Sequence, residues 1–425
     1  MDSSRLPAEY LTNMKASLSD DFEAFLRIYD EEPVKGLRFN PRRVRPETVE
    51  KLVREWHLDP VPWCGDGYYY RENADGTEPI RPGLSPYHDA GVFYIQEPSA
   101  MITAASADIR ETDAVLDLCA APGGKSTQAA VRAGLLVSNE PVANRARILS
   151  SNIERMGFQN TVVTSAWPDE LARVCGGLFD RIIVDAPCSG EGMMRKDETA
   201  VSEWSPANVE LCITRQREIL EAADEMLKTG GKLIYSTCTF EYGENEGQIR
   251  NFIKEHPDYA LLDMHLLYPH QIRGEGHFCA VLQKGSPDEG TGEARKTQFK
   301  GALTPETLAA FLKKKKIHVL RAGVEPGETK QDRKGKSYYT PSHAEAMAKD
   351  WETDTGSKLG ICSLDLAMKY LHGEVIDLSR QEDSDYVLCG GEGWLTVYFD
   401  RYPLGLGKRT GSVIKNHYPK GLRHL

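Results

Sequence analysis

The chain has 425 residues, 40% of them hydrophobic, so it is long enough for two or three folded domains and is not largely disordered. Its net charge of −11 at pH 7 argues, taken alone, against a nucleic-acid partner. The sequence lacks an apolar stretch long enough to span a bilayer and lacks a signal-peptide pattern, which predicts a cytoplasmic protein that does not insert into a membrane.

The nine cysteines contain neither a Cys-x-x-Cys pair nor a cluster with histidine. This spacing does not match the usual zinc sites, so no metal is expected. In a reducing compartment, cysteines of this kind are either core residues or catalytic groups. Nothing in the composition requires an obligate oligomer, and a monomer is expected.

Residues 1–88 are predicted to form a small N-terminal accessory domain of mixed structure. Apolar residues recur with helical spacing between Leu6 and Tyr29. Residues 36–41 then predict a short strand that runs into a turn at Pro41.

Strands and helices are predicted to alternate through residues 89–285, which we assign to a second domain. The apolar runs predict strands at residues 114–118, 135–137, 161–163, 181–185 and 232–235, separated by helices at residues 126–133, 143–156 and 209–227. This alternation predicts an α/β fold with a doubly wound, mostly parallel sheet and helices on both faces. Ligands bind such sheets at the carboxyl ends of the strands.

A glycine-containing turn follows the strand at residues 114–118. It consists of Cys119, Ala120, Ala121, Pro122, Gly123, Gly124 and Lys125. Glycines let the backbone approach a ligand closely, and the helix that follows offers free N–H groups. The spacing is neither the dinucleotide fingerprint nor the phosphate-binding loop. It suits a nucleoside with an amino-acid tail, such as S-adenosylmethionine, better than a pyrophosphate.

The second predicted strand of this domain ends at Glu140. A carboxylate at this position can accept hydrogen bonds from both ribose hydroxyls of a nucleoside. The alternative interpretation of the turn and of Glu140 is an ordinary tight turn and a solvated side chain.

Two cysteines follow two other predicted strands. Cys188 comes three residues after Asp185, and Cys238 lies in a Ser-Thr-Cys-Thr sequence. A single cysteine at a strand end is usually a core residue, but two in polar, turn-forming contexts of one sheet favour chemistry. Methyltransferases that act on amino groups carry Pro-Pro and an aromatic residue where Cys188 stands, so the pattern indicates a ring carbon as acceptor.

Cytosine carbon 5 is a poor nucleophile until a thiolate adds to carbon 6. The addition turns the ring into an enamine that can attack an electrophilic methyl group, which is covalent catalysis. The thiol must be partly ionised, and the target base must leave its stack or be unpaired already. The two cysteines and the turn therefore predict cytosine-5 methylation with S-adenosylmethionine as cofactor.

Residues 286–316 are predicted to be a linker, and residues 317–425 a small, mixed or mostly β domain with strands at residues 386–388 and 395–399. The last 25 residues hold six basic side chains and no acidic one: Arg401, Lys408, Arg409, Lys415, Lys420 and Arg423. Another basic run occupies residues 313–316. These groups can meet phosphates despite the net negative charge, or can simply be a solvated surface.

Five motifs together resemble the Sun-type RNA (cytosine-5) methyltransferases. They occupy residues 36–40, 94–100, 119–125, 185–190 and 236–239. The resemblance implies a Rossmann-like class I methyltransferase domain in which Cys238 is the nucleophile and Cys188 assists breakdown of the covalent adduct. It also implies that residues 119–125, Glu140 and Asp185 contact S-adenosylmethionine, and that Asp185 holds the protonated ring nitrogen of cytosine.

The chain departs from this family after the third strand of the sheet. Many members carry an aspartate there that reaches the adenine side, whereas this sequence reads Ser165-Ala166-Trp167-Pro168-Asp169. Either Asp169 takes that role or the contact is lost. Trp167 can stack on adenine or pack in the core, and the sequence leaves both open.

The C-terminal part is similar to the subgroup that methylates bacterial small-subunit ribosomal RNA. The similar segments are residues 327–328, 341–344, 402–409 and 415–423. This resemblance implies a PUA-like RNA-binding domain and, as partner, 16S rRNA or the small ribosomal subunit. Two rivals stay open: the same chemistry on tRNA, and a non-catalytic RNA-binding factor for ribosome assembly. A nicotinamide oxidoreductase is disfavoured by the glycine spacing.

Overall fold

The N-terminal region of the computed structural model forms two helices followed by a four-stranded antiparallel sheet. The structure describes residues 3–72, 79–285 and 297–424. The elements of this region are α1 (Ala8–Leu18), α2 (Phe22–Arg27), β1 (Lys35–Phe39), α3 (Pro46–Glu55), β2 (Asp59–Pro60), β3 (Gly67–Tyr70), α4 (Pro86–Asp89), β4 (Phe93–Ile95) and α5 (Ile102–Ala105). The strand order is β2-β3-β1-β4. The predicted domain boundary at residue 88 therefore cuts this sheet, because its edge strand β4 comes later.

Helices α1 and α2 pack against the catalytic part of the chain rather than against the N-terminal sheet. Tyr10 and Phe25 are fully buried in a cluster that also contains Trp204 and Phe240. The Tyr10 and Trp204 rings meet edge to face, with 5.8 Å between their centroids. The helical spacing seen in the sequence thus buries an apolar face, but on a partner that lies far away along the chain.

The central region forms an eight-stranded sheet with helices on both faces. Its elements are β5 (Ala114–Asp117), α6 (Gly124–Ala130), β6 (Leu135–Asn139), α7 (Ala143–Arg155), β7 (Thr161–Ser165), α8 (Pro168–Cys175), β8 (Phe179–Asp185), α9 (Glu198–Glu203), α10 (Pro206–Met226), β9 (Leu227–Thr237), α11 (Glu246–Glu255), β10 (Tyr259–Leu267), β11 (His277–Lys284), α12 (Pro305–Lys314) and β12 (His318–Ala322). The strand order is β10-β11-β9-β8-β5-β6-β7-β12.

Five neighbouring strands of this sheet, β9-β8-β5-β6-β7, run parallel, while β11, β10 and β12 are antiparallel to their neighbours. The parallel strands are covered on both faces, which explains why they read as continuous apolar runs. The predicted doubly wound, mostly parallel sheet is confirmed. The chain order reverses between β5 and β8, and such a switch point opens a crevice at the carboxyl ends of the strands.

The predicted linker, residues 286–316, is only partly described, since residues 286–296 lie outside the described residues. After them, α12 buries Leu308 and Leu312 in the core beneath the central sheet, and β12 pairs with β7. The predicted start of the C-terminal domain at residue 317 is therefore wrong, because His318–Ala322 completes the central sheet.

The C-terminal region contains a separate hairpin and a six-stranded sheet. Its elements are β13 (Glu328–Gln331), β14 (Ser337–Thr340), α13 (His343–Met347), β15 (Lys358–Ile361), α14 (Leu364–Leu371), β16 (Ile376–Asp377), β17 (Tyr386–Cys389), β18 (Gly393–Phe399), β19 (Tyr402–Thr410) and β20 (Val413–Asn416). The strand order is β16-β20-β19-β18-β15-β17. The sheet packs on the N-terminal region, where the Tyr402 hydroxyl donates to Thr48 (2.8 Å) and Tyr418 to Asp89 (2.9 Å).

Within residues 3–72, 79–285 and 297–424, no helix combines the length and the apolar character that crossing a membrane requires. The same part of the chain contains no group of three histidine, cysteine or acidic side chains that could hold a metal ion. All nine cysteines are free thiols.

A buried ion pair holds the loop after β8 against the N-terminal segment. Arg195 donates two hydrogen bonds to the Glu275 carboxylate, at 2.7 and 2.8 Å, and a third to the Ile28 carbonyl at 3.0 Å. Glu275 also accepts the Val34 N–H at 2.7 Å. Both charged side chains are at most 5% exposed. The loop follows Cys188, so this pair fixes one side of the region that carries the predicted catalytic residues.

We expect Glu275→Ala to destabilise the protein by about 3–5 kcal/mol, because it leaves the buried Arg195 guanidinium without a counter-charge. Glu275→Gln also removes the charge but keeps the shape of the side chain and one acceptor oxygen, so its thermal unfolding midpoint should fall between those of Glu275→Ala and the unaltered protein. Equal midpoints for Glu275→Ala and the unaltered protein would contradict this role of the pair.

Candidate active site

A cavity of about 890 Å³ opens at the carboxyl ends of the central parallel strands. Its lining includes six of the predicted site residues: Cys119, Ala121, Glu140, Asp185, Cys188 and Cys238. The remaining turn residues, Ala120, Pro122, Gly123, Gly124 and Lys125, are not part of the lining. The structure thus brings together groups from four strand ends, and places part of the predicted cofactor turn behind the cavity wall.

The turn between β5 and α6 is held in place from two sides. Gly123 has a φ of +117°, and a Cβ on it would lie 3.2 Å from Leu149, so the turn favours glycine there. The Ala120 N–H donates to the Asn139 carbonyl at the end of β6 (2.8 Å). Fully buried Arg38 donates to the Gly124 carbonyl at 3.1 Å, which ties the N-terminal sheet to the turn.

Lys125 reaches from the turn to the end of β8. Its ammonium lies 2.8 Å from the Asp185 carboxylate, which also accepts the Ser236 hydroxyl at 2.9 Å. Burial raises the pKa of Asp185, but Lys125 and these hydrogen bonds outweigh it and hold the pKa below its ordinary value. Asp185 is therefore an ionised carboxylate inside the cavity.

His277 closes the other side of Asp185, at 4.0 Å from its carboxylate. Burial and, to a smaller extent, the nearby Lys125 ammonium lower the pKa of His277 to about 3. The ring is accordingly neutral, and its Nε2 is hydrogen-bonded to the Thr103 hydroxyl at 3.1 Å. His277 packs beside the site without adding charge to it.

The two predicted catalytic sulfurs lie 3.4 Å apart, in hydrogen-bond contact. The contact with Cys238, together with burial, raises the pKa of Cys188 well above its ordinary value, so Cys188 keeps its proton. Either sulfur can be the donor in this contact. The Lys125 ammonium interacts electrostatically with Cys238. A cation beside a sulfur stabilises a thiolate when one forms.

Glu244 joins the loops that carry the two cysteines. Its carboxylate accepts the Ser189 N–H at 3.0 Å and the Gln216 side-chain N–H at 2.7 Å. The hydroxyls of Ser189 and Thr239, the residues next to Cys188 and Cys238, are hydrogen-bonded at 2.8 Å. Burial raises the pKa of Glu244, which hydrogen bonding opposes. The sequence analysis missed Glu244, because its partners lie 28 and 55 residues away.

A second buried carboxylate, Glu191, supports the same loops. It accepts the Trp204 indole N–H at 3.0 Å and the Phe240 backbone N–H at 2.9 Å. Burial raises its pKa to about 7. The backbone of the next residue, Gly192, donates to the Cys238 carbonyl at 2.8 Å, so the Glu191 segment fixes the position of the Cys238 backbone.

Asp117, at the end of β5, is a further buried carboxylate that the sequence analysis missed. One oxygen accepts the Ser126 hydroxyl at 2.7 Å, and the other, Oδ1, has no hydrogen-bond partner among the described residues. Burial raises the pKa of Asp117 to about 7. The sequence did contain an indication of this residue, namely an aspartate within an apolar strand. Burying a carboxylate is unfavourable unless a ligand or another protein group interacts with it. The unsatisfied oxygen beside the turn fits a cationic or hydrogen-bonding ligand.

Glu140 and Trp167 flank the far end of the cavity. Glu140 is only 2% exposed, accepts the Val142 N–H at 3.0 Å and lies 3.5 Å from Arg145. Trp167 is 61% exposed and lines the cavity, which removes the core-packing alternative and leaves its ring free for an aromatic ligand. Asp169 also lines the cavity and forms an exposed ion pair with Arg173.

The basic residues of the C-terminal tail do not form one continuous patch. Arg401 lies in the turn before β19 and pairs with Glu352 at 3.1 Å, whereas Lys408 lies towards the other end of β19, opposite Lys415. At about 3.3 Å per residue, the strand separates Arg401 from Lys408 by roughly 20 Å. The run at residues 313–316 is exposed at the end of α12.

Three family matches cover most of the chain. The description 16S rRNA methyltransferase RsmB/F matches residues 104–285, the N-terminal domain of 16S rRNA methyltransferase RsmF matches residues 6–98, and the methyltransferase RsmF PUA domain matches residues 362–424. The family resemblance drawn from the sequence motifs and the predicted PUA-like domain are confirmed.

Full-length relatives agree with these matches. The chain is 31% identical to ribosomal RNA small subunit methyltransferase F of Salmonella agona (strain SL483) over 478 residues, covering 98% of this chain and 96% of the relative. It is 30% identical to the protein of the same name from Enterobacter sp. (strain 638), covering 98% and 95%.

Two solved structures share the fold. NSun6 from Pyrococcus horikoshii, crystallised with SFG, superimposes with a TM-score of 0.58 at 22% identity, covering 65% of this chain and 98% of NSun6. A methyltransferase homolog from Pyrococcus horikoshii gives a TM-score of 0.56 at 24% identity, covering 67% and 93%.

The raised pKa of Asp117 predicts a pH-dependent stability. The folded protein keeps this proton up to about pH 7, whereas an ordinary aspartate ionises near 3.8, so stability is lost as pH rises between these values. Over this pH range the free energy of unfolding falls by on the order of 4 kcal/mol at most. We expect Asp117→Asn to remove this decrease, because asparagine does not titrate. The measurement is the unfolding midpoint of the ligand-free protein at pH values between 4.5 and 8. Some pH dependence should remain in Asp117→Asn, because Glu191 also has a raised pKa. The same pH dependence in the variant and the unaltered protein would contradict the raised pKa of Asp117.

Proposed function

Because the chain belongs to the 16S rRNA methyltransferase RsmB/F family, we propose that it methylates carbon 5 of a cytosine in 16S rRNA through a covalent bond to Cys238. It is a methyltransferase, and its cofactor is S-adenosylmethionine. The observation that carries the proposal is the contact of two sulfurs, Cys188 and Cys238, 3.4 Å apart in a cavity that also contains an ionised aspartate.

The residues of the cavity fit S-adenosylmethionine. Cys119 and Ala121 of the turn line the cavity at the end of β5, Glu140 offers an acceptor for ribose hydroxyls, and the exposed Trp167 ring can stack on adenine. The unpartnered oxygen of Asp117 is buried behind the turn, outside the cavity lining. When bound, S-adenosylmethionine supplies the electrophilic methyl group that carbon 5 attacks.

Cys238 is the nucleophile in this proposal. Its thiolate forms a bond to carbon 6 of cytosine, and the electron pair of the 5,6 double bond moves to give a nucleophilic carbon 5. Once carbon 5 carries the new methyl group, a solvent water molecule takes its proton and the C–H electron pair re-forms the 5,6 double bond. The sulfur–carbon 6 bond breaks at the same time, and its electron pair returns to Cys238 as a thiolate.

Asp185 and Cys188 act on either side of this adduct. Asp185, kept ionised by Lys125, accepts a hydrogen bond from the protonated ring nitrogen and so stabilises the positively charged ring, which makes carbon 6 more electrophilic towards the thiolate. Cys188, whose sulfur lies 3.4 Å from that of Cys238, assists release of the adduct.

The C-terminal PUA match supports an RNA substrate, and the names of the full-length relatives support 16S rRNA. The test is methyl transfer from labelled S-adenosylmethionine to small ribosomal subunits that lack cytosine methylation, with tRNA in parallel and the product base identified. We expect 5-methylcytosine in 16S rRNA alone. Label in tRNA alone would overturn the substrate, and label in neither RNA would overturn the proposed function.

The two cysteine variants should fail in different ways. Cys238→Ala should lose transfer by at least about a thousandfold and form no adduct, because the nucleophile is absent. Cys188→Ala should instead accumulate a protein–RNA adduct, seen as a slower band in denaturing gels, because attack persists while release is slowed. An adduct that requires Cys188 but tolerates loss of Cys238 would reverse the two roles.

A further inference from the structure

The hairpin β13–β14 forms a two-stranded sheet of its own. Its strands pair in the register Glu328↔Thr340 to Gln331↔Ser337, so all of its backbone pairing is internal. The tip is a tight loop in which one Asp332 oxygen accepts the N–H groups of Lys334 (2.8 Å) and Lys336 (2.9 Å). A hairpin of two strands is marginal alone, so its base must be anchored.

One face of the hairpin provides that anchor. The Tyr339 hydroxyl accepts the Gly327 N–H at 2.9 Å and is hydrogen-bonded to Glu345 of α13. A Cβ on Gly327 would lie 2.2 Å from the Thr340 carbonyl oxygen, so glycine is needed where the hairpin closes. Tyr339 thus ties the base of the hairpin to α13, although 48% of its surface stays exposed.

The opposite face is basic and aromatic. Side chains alternate along a strand, so Tyr338 points away from the Tyr339 face. Lys330 lies directly across from Tyr338, and Lys336 is two residues away on the same strand side. Tyr338 leaves 47% of its surface exposed. Lys330 has only a weak, exposed pairing with Glu328.

The tip adds two more cations, Arg333 and Lys334. Residues 328–340 contain four basic and two acidic side chains in a chain whose net charge is −11. Arg333, Lys334 and Lys336 form no ion pair with any residue that the structure describes. Because Asp332 uses one oxygen for the turn, the charges that face solvent at the tip are predominantly positive.

A second basic and aromatic row lies on the C-terminal sheet, beyond the Tyr339 side of the hairpin base. Trp394 lies opposite Lys408, and Lys408 opposite Lys415, on three adjacent strands. The Lys408 ammonium lies 5.5 Å from the centre of the Trp394 ring. A pocket of about 210 Å³ between the hairpin base and the sheet is lined by both Tyr339 and Trp394.

We propose that the β13–β14 hairpin is an RNA-binding arm. Its tip and its Tyr338 face contact phosphates and one unpaired base of the ribosomal RNA. Separated cations follow a nucleic-acid backbone, and exposed aromatic rings accept unstacked bases. This inference rests on the proposed RNA substrate, and it adds a contact that precedes the matched PUA residues 362–424.

The test compares two charge-matched double variants of the full-length enzyme. Arg333→Glu/Lys334→Glu alters the tip. Arg110→Glu/Arg132→Glu is the control, because these exposed arginines precede β5 and β6 at the edge of the sheet opposite the cavity. We expect the tip variant to raise the KM for small subunits about tenfold, with kcat and the KM for S-adenosylmethionine within about twofold of the unaltered enzyme. The control variant should leave kcat and both KM values unchanged.

Direct binding to protein-free 16S rRNA gives a second measurement. The dependence of log Kd on log salt should become shallower by about 1.4 for the tip variant, as two phosphate contacts to single-stranded RNA are lost. Tyr338→Ala should weaken binding about tenfold, whereas Tyr338→Phe, which keeps the ring, should bind normally. Unfolding midpoints equal to the unaltered protein confirm that each variant is folded.

Three results would overturn the arm. The first is a tip variant whose Kd and salt dependence are unchanged, and the second is a control variant that weakens RNA binding as much as the tip variant does. The third is a tip variant that binds free 16S rRNA normally but the small subunit poorly, because that result indicates a ribosomal protein as the partner. Failure of the proposed function is a separate result, namely absence of methyl transfer by the unaltered enzyme, and the binding measurements decide the arm in either case.

Discussion

The register between β8 and β9 is the constraint on which the site depends. The two strands are parallel neighbours, with Asp185 opposite Ser236. Cys188 and Cys238 follow these residues by three and two positions, so the pairing delivers both sulfurs to one place, 3.4 Å apart. A slip of one residue would turn the side chains of a strand to the other face and separate Asp185 from Ser236, whose hydroxyl it accepts. The position of both thiols, and with it the proposed chemistry, therefore depends on the backbone hydrogen bonds between β8 and β9.

The loops beyond the strand ends are held by buried carboxylates rather than by apolar packing. Glu244 and Glu191 each accept at least two hydrogen bonds from groups around the cysteines. Burying such groups is unfavourable, and the raised pKa of Glu191, about 7, reflects this cost. In exchange, the hydrogen bonds of the carboxylate are directional, so a carboxylate with fixed partners restricts the position of a loop more than an apolar contact does. Asp117 shares the cost but has an oxygen without a partner, which a ligand can satisfy.

The sequence was sufficient for the sheet and for most of the cavity, for a physical reason. Parallel strands covered on both faces are continuous apolar runs, and their carboxyl ends meet at one edge, so Glu140, Asp185 and the two cysteines could be grouped without coordinates. The domain limits at residues 88 and 317 could not be found this way. β4 and β12 are short strands whose pairing with β1 and β7 is long-range and leaves no local pattern. Glu244 and the exposure of Trp167 likewise depend on partners that are distant along the chain.

The net charge of −11 and an RNA substrate are compatible because phosphates respond to nearby charges. The Debye length is about 8 Å at physiological ionic strength, so acidic residues on distant surfaces are largely screened from a bound strand. A bound RNA strand interacts with the basic side chains that are close to it in space, and these need not be neighbours in sequence. Arg401 and Lys408 are close in sequence but lie roughly 20 Å apart along β19. Lys408 and Lys415, in contrast, come from separate strands and lie side by side next to Trp394. A folded acidic protein can thus present a basic, aromatic surface that neither its net charge nor its tail composition describes.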